Sequence, residues 1–215
     1  MPNWCECDLK VIGPADKVQE FKLALKCPDD DSVFKINNII PTPAALADAQ
    51  ASSKEIVFDI VYGSEEQFAM IKTLYEFEGD DRVAAFDKFM ALQPEGNRES
   101  IKEALVIYKR NHDLYGHKTW YTWRIHHWGT KWDTSESSIF SETTGPKDQA
   151  CLFYTFNTAW TPPVEALQIM SNRFSFLTFK LRYFESGMGF KGYAKFKDGE
   201  VLADKRGGYS GSRGG

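Results

Sequence analysis

An alternating segment near the start of the chain, followed at once by a helix, is the feature that most restricts the fold. Apolar and polar residues alternate over most of Trp4 to Ile12, which is typical of a strand with one buried face. Gly13-Pro14 ends this strand, and apolar residues at three- and four-residue steps then predict a helix over Ala15 to Lys26. A solitary amphipathic strand has nowhere to bury its apolar face, so the chain must supply further strands.

The second half of the chain repeats this order. Cys151 to Phe156 is a nearly continuous apolar run, which suits the centre of a sheet, and Pro162-Pro163 then opens an amphipathic helix. Residues that favour strands predict further extended segments at 34–40, 119–125, 128–132, 177–185 and 190–196. Two strand–helix–strand units of this kind can interleave into one sheet.

The predicted fold is therefore α+β: a ferredoxin-like antiparallel sheet with helices on one face, plus an α-rich acidic insertion. We treat residues 1–206 as a single domain, with the sheet from about 1–43 and 117–200 and the insertion at about 44–116. Helical patterns at 65–77, 81–92 and 98–114 support the insertion, whereas 56–62 fits a strand or a helix. The glycine- and serine-rich residues 207–215 are expected to form a flexible tail.

Charge is unevenly distributed along the chain, although the formal net charge is only -4. Residues 28–97 contain 14 acidic and 5 basic side chains, whereas 98–132 contain 3 acidic and 7 basic ones. Residues 173–213 contain 4 acidic and 9 basic side chains. This pattern predicts a negative and a positive lobe that meet different partners, unless the charge only serves solubility.

The cysteines and the apolar runs bear on the compartment. No apolar run approaches the roughly 18 residues of a membrane span, and the first residues lack the blocks of a signal peptide, so we expect a cytoplasmic protein with no membrane partner. Cys5, Cys7, Cys27 and Cys151 are then reduced thiols. Cys5 and Cys7 would share one strand face, but no second close pair exists, so buried thiols are favoured over a zinc site and no cofactor is expected.

Four short segments carry a family resemblance: Met1-Pro2-Asn3-Trp4-Cys5, Trp128-Gly129-Thr130-Lys131-Trp132, Phe156-Asn157-Thr158-Ala159-Trp160-Thr161-Pro162-Pro163 and Glu185-Ser186-Gly187-Met188-Gly189-Phe190-Lys191-Gly192. Together they resemble the YubB-like family of small proteins carried by bacteriophages and plasmids. Its members are described as having a ferredoxin-like domain and mostly lack an assigned activity. The resemblance implies such a domain in a protein that works inside a bacterial host. The chain departs from the family at three asparagine positions, which are here Cys7, His127 and Asp133.

Six residues of these segments are the candidate binding residues: Trp128, Lys131, Trp132, Trp160, Gly187 and Gly189. Tryptophans beside a sheet stack on nucleobases or anchor protein partners. Their structural alternative is packing: on a strand, Trp128 and Trp132 would cover one sheet edge together. We expect Trp160 to be a core wedge between a strand and a helix, and the two glycines to form a tight turn.

Three functional hypotheses follow. The first is a non-enzymatic phage- or plasmid-type accessory protein that binds a host macromolecule, with a host protein favoured. The second is single-stranded nucleic-acid binding through strand aromatics, namely Tyr154, Phe156, Phe179 and Tyr183. The third is an enzyme of unknown reaction centred on His126 or His127, although no catalytic set of residues can be assembled and we name no catalytic residue.

Overall fold

A computed structural model describes residues 3–27 and 31–209. The chain divides into two compact units. The sheet unit consists of residues 1–41 and 124–215, and the helical unit consists of residues 42–123. The helical unit thus corresponds to the acidic insertion of the sequence analysis, with boundaries a few residues away from those expected.

Six strands and nine helices are described. The strands are β1 (Trp4–Pro14), β2 (Ser135–Thr144), β3 (Gln149–Ala159), β4 (Thr178–Glu185), β5 (Phe190–Lys197) and β6 (Glu200–Gly208). The helices are α1 (Ala15–Leu25), α2 (Ile36–Ile39), α3 (Ala44–Ala47), α4 (Glu55–Tyr62), α5 (Glu65–Tyr75), α6 (Arg82–Ala91), α7 (Glu95–Tyr115), α8 (Trp120–Trp128) and α9 (Val164–Arg173). None of the helices within residues 3–27 and 31–209 has the length and apolar character needed to cross a membrane.

The strands form one sheet in the order β2-β3-β1-β4-β5-β6, and all neighbours are antiparallel. With α2 to α8 inserted between α1 and β2, the elements β1, α1, β2, β3, α9 and β4 give the β-α-β-β-α-β series of a ferredoxin-like fold. β5 and β6 extend this sheet beyond β4. The predicted α+β class and ferredoxin-like sheet are confirmed.

One face of the sheet is buried, and we call it the helix face. In β1 the residues on this face, Cys5, Cys7, Leu9 and Val11, are at most 1% exposed. The ring of Phe21 from α1 lies 5.2 Å from that of Phe179 on β4, edge to face. Side chains alternate between the two faces of each strand, so every second residue points to the helix face. These residues supply the sheet's share of the hydrophobic stabilisation of the fold.

Residues 34–40 do not form the predicted strand. They contain α2, because the carboxylate of Asp133 accepts hydrogen bonds from the backbone N–H groups of Ile36 at 2.8 Å and Asn37 at 3.1 Å. These are the amides that lack partners at a helix start. The strand after α1 in the ferredoxin-like series is instead β2, which lies beyond the helical unit and is rich in exposed serine.

The predicted extended segments at 119–125 and 128–132 are also wrong, since the next strand, β2, begins only at Ser135 and α8 occupies residues 120–128. Its aromatic composition favours strands only where a pleated surface is available to pack on. Trp128 ends the helix fully buried, and its indole Nε1–H donates to the carbonyl oxygen of Ile40 at 3.0 Å. β6 was not predicted, and it includes Gly207 and Gly208 of the expected tail; residues 210–215 lie outside the described part.

The helical unit has an apolar core of its own. Its buried members include Val57, Ile60, Phe68, Phe89 and Ile101, from α4, α5, α6 and α7. Residues 56–62, left open between strand and helix, belong to α4. Lys118 Nζ lies 2.8 Å and 2.9 Å from the two carboxylate oxygens of Asp59, and burial raises the pKa of the neighbouring Glu55.

Two glycines of the sheet differ in how closely other atoms surround them. A Cβ on Gly192 of β5 would lie 2.2 Å from the ring of Tyr183 and 2.7 Å from the carbonyl oxygen of Lys205. Gly192→Ala should therefore lower the free energy of unfolding by about 1–3 kcal/mol in chemical denaturation, as overpacking does. A Cβ on Gly207 meets nothing within 4 Å, so Gly207→Ala should stay within about 0.5 kcal/mol of the parent. Equal losses in both variants would contradict this packing.

Candidate binding surfaces of the sheet unit

The face of the sheet opposite the helix face carries the strand residues of the other parity. Their burial ranges from intermediate to exposed. They include Glu6, Asp8 and Lys10 from β1, Phe153 from β3, Lys180, Arg182 and Phe184 from β4, Lys191, Tyr193, Lys195 and Lys197 from β5, and Glu200 and Lys205 from β6. We call this surface the basic face.

Charge on the basic face is strongly one-sided. Seven of its residues are lysine or arginine, and three, Glu6, Asp8 and Glu200, are acidic. Five of the seven come from β4 and β5, so the pairing of these strands brings much of the basic segment at 173–213 to one surface. A sheet that collects cations in this way attracts polyanions, although the whole chain is acidic.

Two adjoining depressions run across the basic face. One has a volume of about 670 Å³ and is lined by residues that include Glu6, Phe184 and Lys205. The other has a volume of about 610 Å³ and is lined by residues that include Lys10 and Phe153. Both are lined by Asp8, Arg182 and Tyr193, so they form one continuous groove.

Aromatic rings lie along this groove. Tyr193 is shared by its two halves, and the ring of Phe184 lies 5.4 Å from that of Tyr209. At the other end, Lys10 Nζ lies 5.2 Å from the centre of the Phe153 ring. Cations and ring faces therefore alternate over the same surface.

The four aromatics predicted to bind nucleic acid do not lie on this face. Tyr154, Phe156, Phe179 and Tyr183 are on the helix face and are at most 5% exposed. Burial also raises the pKa of Tyr154. A nearly continuous apolar run does not reveal which parity faces the helices, and a shift of one residue exchanges the faces. The aromatics that were missed, Phe153, Phe184 and Tyr193, have the opposite parity.

Three partly exposed tryptophans gather near one end of the sheet. Trp4, Trp132 and Trp160 are 36%, 38% and 39% exposed. The ring centres of Trp4 and Trp132 are 6.3 Å apart, and Lys131 Nζ lies 4.1 Å from the ring centre of Trp132 and 5.7 Å from that of Trp160. We call these four residues the tryptophan cluster. Trp160 is thus not the core wedge that we expected.

Backbone contacts hold the cluster together. Thr130 donates its hydroxyl hydrogen to the carbonyl oxygen of Ala159 at 3.0 Å, and Thr161 does the same to the carbonyl oxygen of Gly129. The Trp160 N–H donates to the carbonyl oxygen of Asn3 at 3.0 Å. Three segments of the sequence resemblance therefore meet here. Trp128 differs from the other candidates because it is buried.

Catalytic and metal chemistry have less support. His126 and His127 are neighbours on α8 with ring centres 5.0 Å apart. In the part of the chain that the structure describes, no three His, Cys, Asp or Glu side chains are grouped to hold a metal ion. Burial raises the pKa of the Cys7 thiol well above its usual value, which disfavours the thiolate that a metal would need.

One of the comparisons with known proteins concerns part of this same unit. Residues 127–212 match the family model of the ferredoxin-like domain in Api92-like proteins. The crystal structure of a protein api92 from Yersinia pseudotuberculosis is similar at 13% identity over 99% of this chain and 100% of that chain, with a TM-score of 0.43. None of the curated proteins matches the chain.

The matched Api92-like segment contains β2 to β6 and α9, but not β1 or α1. It includes six of the seven cations of the basic face, all except Lys10, and Lys131, Trp132 and Trp160 of the tryptophan cluster. The name YubB-like and a phage or plasmid origin remain predictions from the resemblance.

Gly187 and Gly189 lie in the turn between β4 and β5. The buried carboxylate of Glu185 accepts hydrogen bonds from the backbone N–H groups of Gly187 at 2.7 Å and Met188 at 2.6 Å. Gly189 has a φ of 67°, and a Cβ on Gly187 would lie 2.4 Å from Asn3 Nδ2. Both glycines are therefore explained by the geometry of the turn.

The contrast between Trp128 and Trp132 can be measured. Trp128→Phe removes the indole N–H and leaves the buried carbonyl oxygen of Ile40 without that bond, so it should cost about 1–3 kcal/mol of unfolding free energy. Trp132→Phe keeps an aromatic ring on a partly exposed position and should change stability by less than about 0.5 kcal/mol. Urea denaturation of both variants checks this, and a larger loss for Trp132→Phe would contradict the placement of the two rings.

Proposed function

We propose that the chain is a binding protein that holds single-stranded nucleic acid along the basic face. The observation that carries the proposal is that five of the seven cations of the basic face line one continuous groove together with Phe153, Phe184 and Tyr193. These cations are Lys10, Lys180, Arg182, Lys191 and Lys205. Cations neutralise phosphates, and ring faces stack on bases without regard to sequence. The groove supplies both on one surface.

The dimensions of the groove fit a short stretch of a single strand. Its lining comes from β3, β1, β4, β5 and β6, which are neighbours in the sheet. Strands about 4.8 Å apart make this width roughly 20 Å. Sheets of comparable width in RNA-binding domains stack about two or three bases on their aromatics. A duplex hides its base faces and should bind less tightly than a single strand.

Asp8 and Glu6 limit how strongly the groove attracts phosphate. Both acids line it, and Arg182 lines both halves. Carboxylates in a cationic groove lower its positive potential locally, and they also accept hydrogen bonds from base amino groups. We therefore expect moderate affinity that falls with salt.

Tyr193→Ala tests the stacking part of the proposal. Loss of one stacked base should weaken the binding of oligothymidylate or oligouridylate by about 5- to 100-fold in fluorescence anisotropy. The matched control is Phe176→Ala, which removes a 67% exposed ring away from the groove and should leave affinity unchanged. Equal affinities of all three proteins would refute stacking on Tyr193.

Lys180→Ala tests the electrostatic part. Each lost phosphate contact should reduce the slope of log affinity against log salt by about 0.7 for a single strand. The control Lys102→Ala removes the same charge from the helical unit, where the side chain is 59% exposed, and should leave the slope as it is. Identical slopes in the two variants would show that position on the basic face is irrelevant.

A second candidate is the binding of a host protein in the cytoplasm of a bacterial cell, as a phage- or plasmid-type accessory protein. It is supported by the resemblance and by an apolar depression of about 530 Å³ on the helical unit, lined in part by Tyr62, Leu105, Val106 and Leu114. Val106 and Leu114 are 70% and 66% exposed. Exposed apolar patches of this kind mark protein interfaces.

Affinity capture from host lysate after nuclease treatment tests this candidate. A stoichiometric protein that is captured by the parent chain and lost with Val106→Asp would support it. Retention of that protein by the variant would place the contact elsewhere.

A further inference from the structure

We infer that the tryptophan cluster extends the nucleic-acid path beyond the groove and stacks a further base of a longer strand. This inference rests on the proposed function. It assigns to Trp4, Trp132, Trp160 and Lys131 a role that the basic face alone does not require.

The first reason is continuity. Trp4 and Glu6 are two residues apart on β1, so their side chains leave the same side of the sheet about 7 Å apart. Glu6 lines the groove, and Trp4 is therefore its next neighbour along the strand. A strand that fills the groove and continues in this direction meets indole rings.

The second reason is the arrangement of the rings. Trp4 and Trp132 are inclined at 50° with centres 6.3 Å apart, so they are not stacked on each other. Each of the three tryptophan residues keeps more than a third of its surface exposed. Large aromatic surface in water is unfavourable by the hydrophobic effect, whereas a planar base would cover it.

The third reason is the backbone of Trp160. Its φ of 71° lies in the left-handed region, which bulky residues rarely adopt. Its N–H is bonded to Asn3, and the neighbouring Thr161 is bonded to Gly129, so the surrounding chain fixes this conformation. Strain of this kind persists where the structure over-determines it and is concentrated at binding sites. Here it brings the indole to the surface within 5.7 Å of Lys131 Nζ.

Lys131 supplies the charge. Its ammonium group lies over the Trp132 ring at 4.1 Å, so the cation and the aromatic surface form one site. A base on the indoles would bring its own phosphate to this cation, as in single-strand grooves that combine both groups. The position of the cation favours a polyanion as the occupant.

Oligonucleotide length separates the cluster from the groove. We would measure the affinity of oligothymidylates of about four and about ten nucleotides, within the site sizes known for single-strand binders. The parent protein should bind the longer probe about 5- to 100-fold more tightly than the shorter one, beyond the statistical gain. Trp132→Ala should lose that gain and bind the short probe like the parent, whereas Trp132→Phe should keep most of it.

Two further variants distinguish a loss of binding from a loss of folding. Trp4→Gln should lose the same length-dependent gain, with an unchanged thermal midpoint. Lys131→Met should reduce the salt slope by about 0.7 for the long probe and leave it unchanged for the short one. Tyr193→Ala should instead weaken both probes.

The outcomes separate the inference from the proposed function. If the parent binds neither probe, the proposed function fails. If it binds both and Trp132→Ala, Trp4→Gln and Lys131→Met keep the full gain, the proposed function stands and this inference is overturned. Loss of a captured protein partner with the oligonucleotide gain intact would also overturn it, because the cluster would then be a protein interface.

Discussion

The pairing of β1 with β3 on one side and β4 on the other is the interaction on which the sheet unit depends. β1 is an inner strand, so both of its backbone edges are hydrogen-bonded. It also contributes Leu9 and Val11 to the helix face and Asp8 and Lys10 to the basic face. Without β1, the matched Api92-like segment would have two separated sheet edges and an incomplete groove.

Because side chains alternate strictly along the strands, apolar packing lies on one face of the sheet and charged groups lie on the other. On the helix face, Phe21, Tyr154 and Phe179 pack edge to face and exclude water. On the basic face, residues one position along the same strands carry charge. Stability and binding therefore use different residues of each strand, and the binding face can vary with little effect on the core.

Local patterns in the sequence were sufficient where burial and periodicity agree. β1, α1, β3, α9, β4 and β5 follow directly from alternation, apolar runs and proline-opened helices. α2 was missed because its cap, Asp133, is distant in sequence, and α8 because its aromatics favour strands when considered alone. β2 was missed because an exposed edge strand rich in serine has no apolar alternation.

The candidate site was predicted less well. Lys131, Trp132 and Trp160 were among the candidate binding residues and do come together. Trp4 was not among them, although it has the same parity as Glu6. The aromatics predicted to bind nucleic acid were those of the buried parity, and not those that line the groove. In β3 the near-continuous apolar composition hides the difference between the two faces. Only the pairing register, which brings Leu152 and Tyr154 opposite the buried residues Val11 and Leu9, decides it.

The position of the helical unit in the chain has a consequence for synthesis. β1 is synthesised before its partners β3 and β4, which follow only after the whole helical unit. The pairing of Trp4 with Ala159 therefore cannot form until the helical unit has been synthesised. The helical unit has its own core, formed by the consecutive helices α4 to α7, and contacts between elements near in sequence form quickly. Its folding would shorten the effective loop between β1 and β3, because a compact unit brings the chain ends nearer than a flexible segment of the same length. The insertion thus acts on the order of folding events and sets the interval during which the first strand is unpaired.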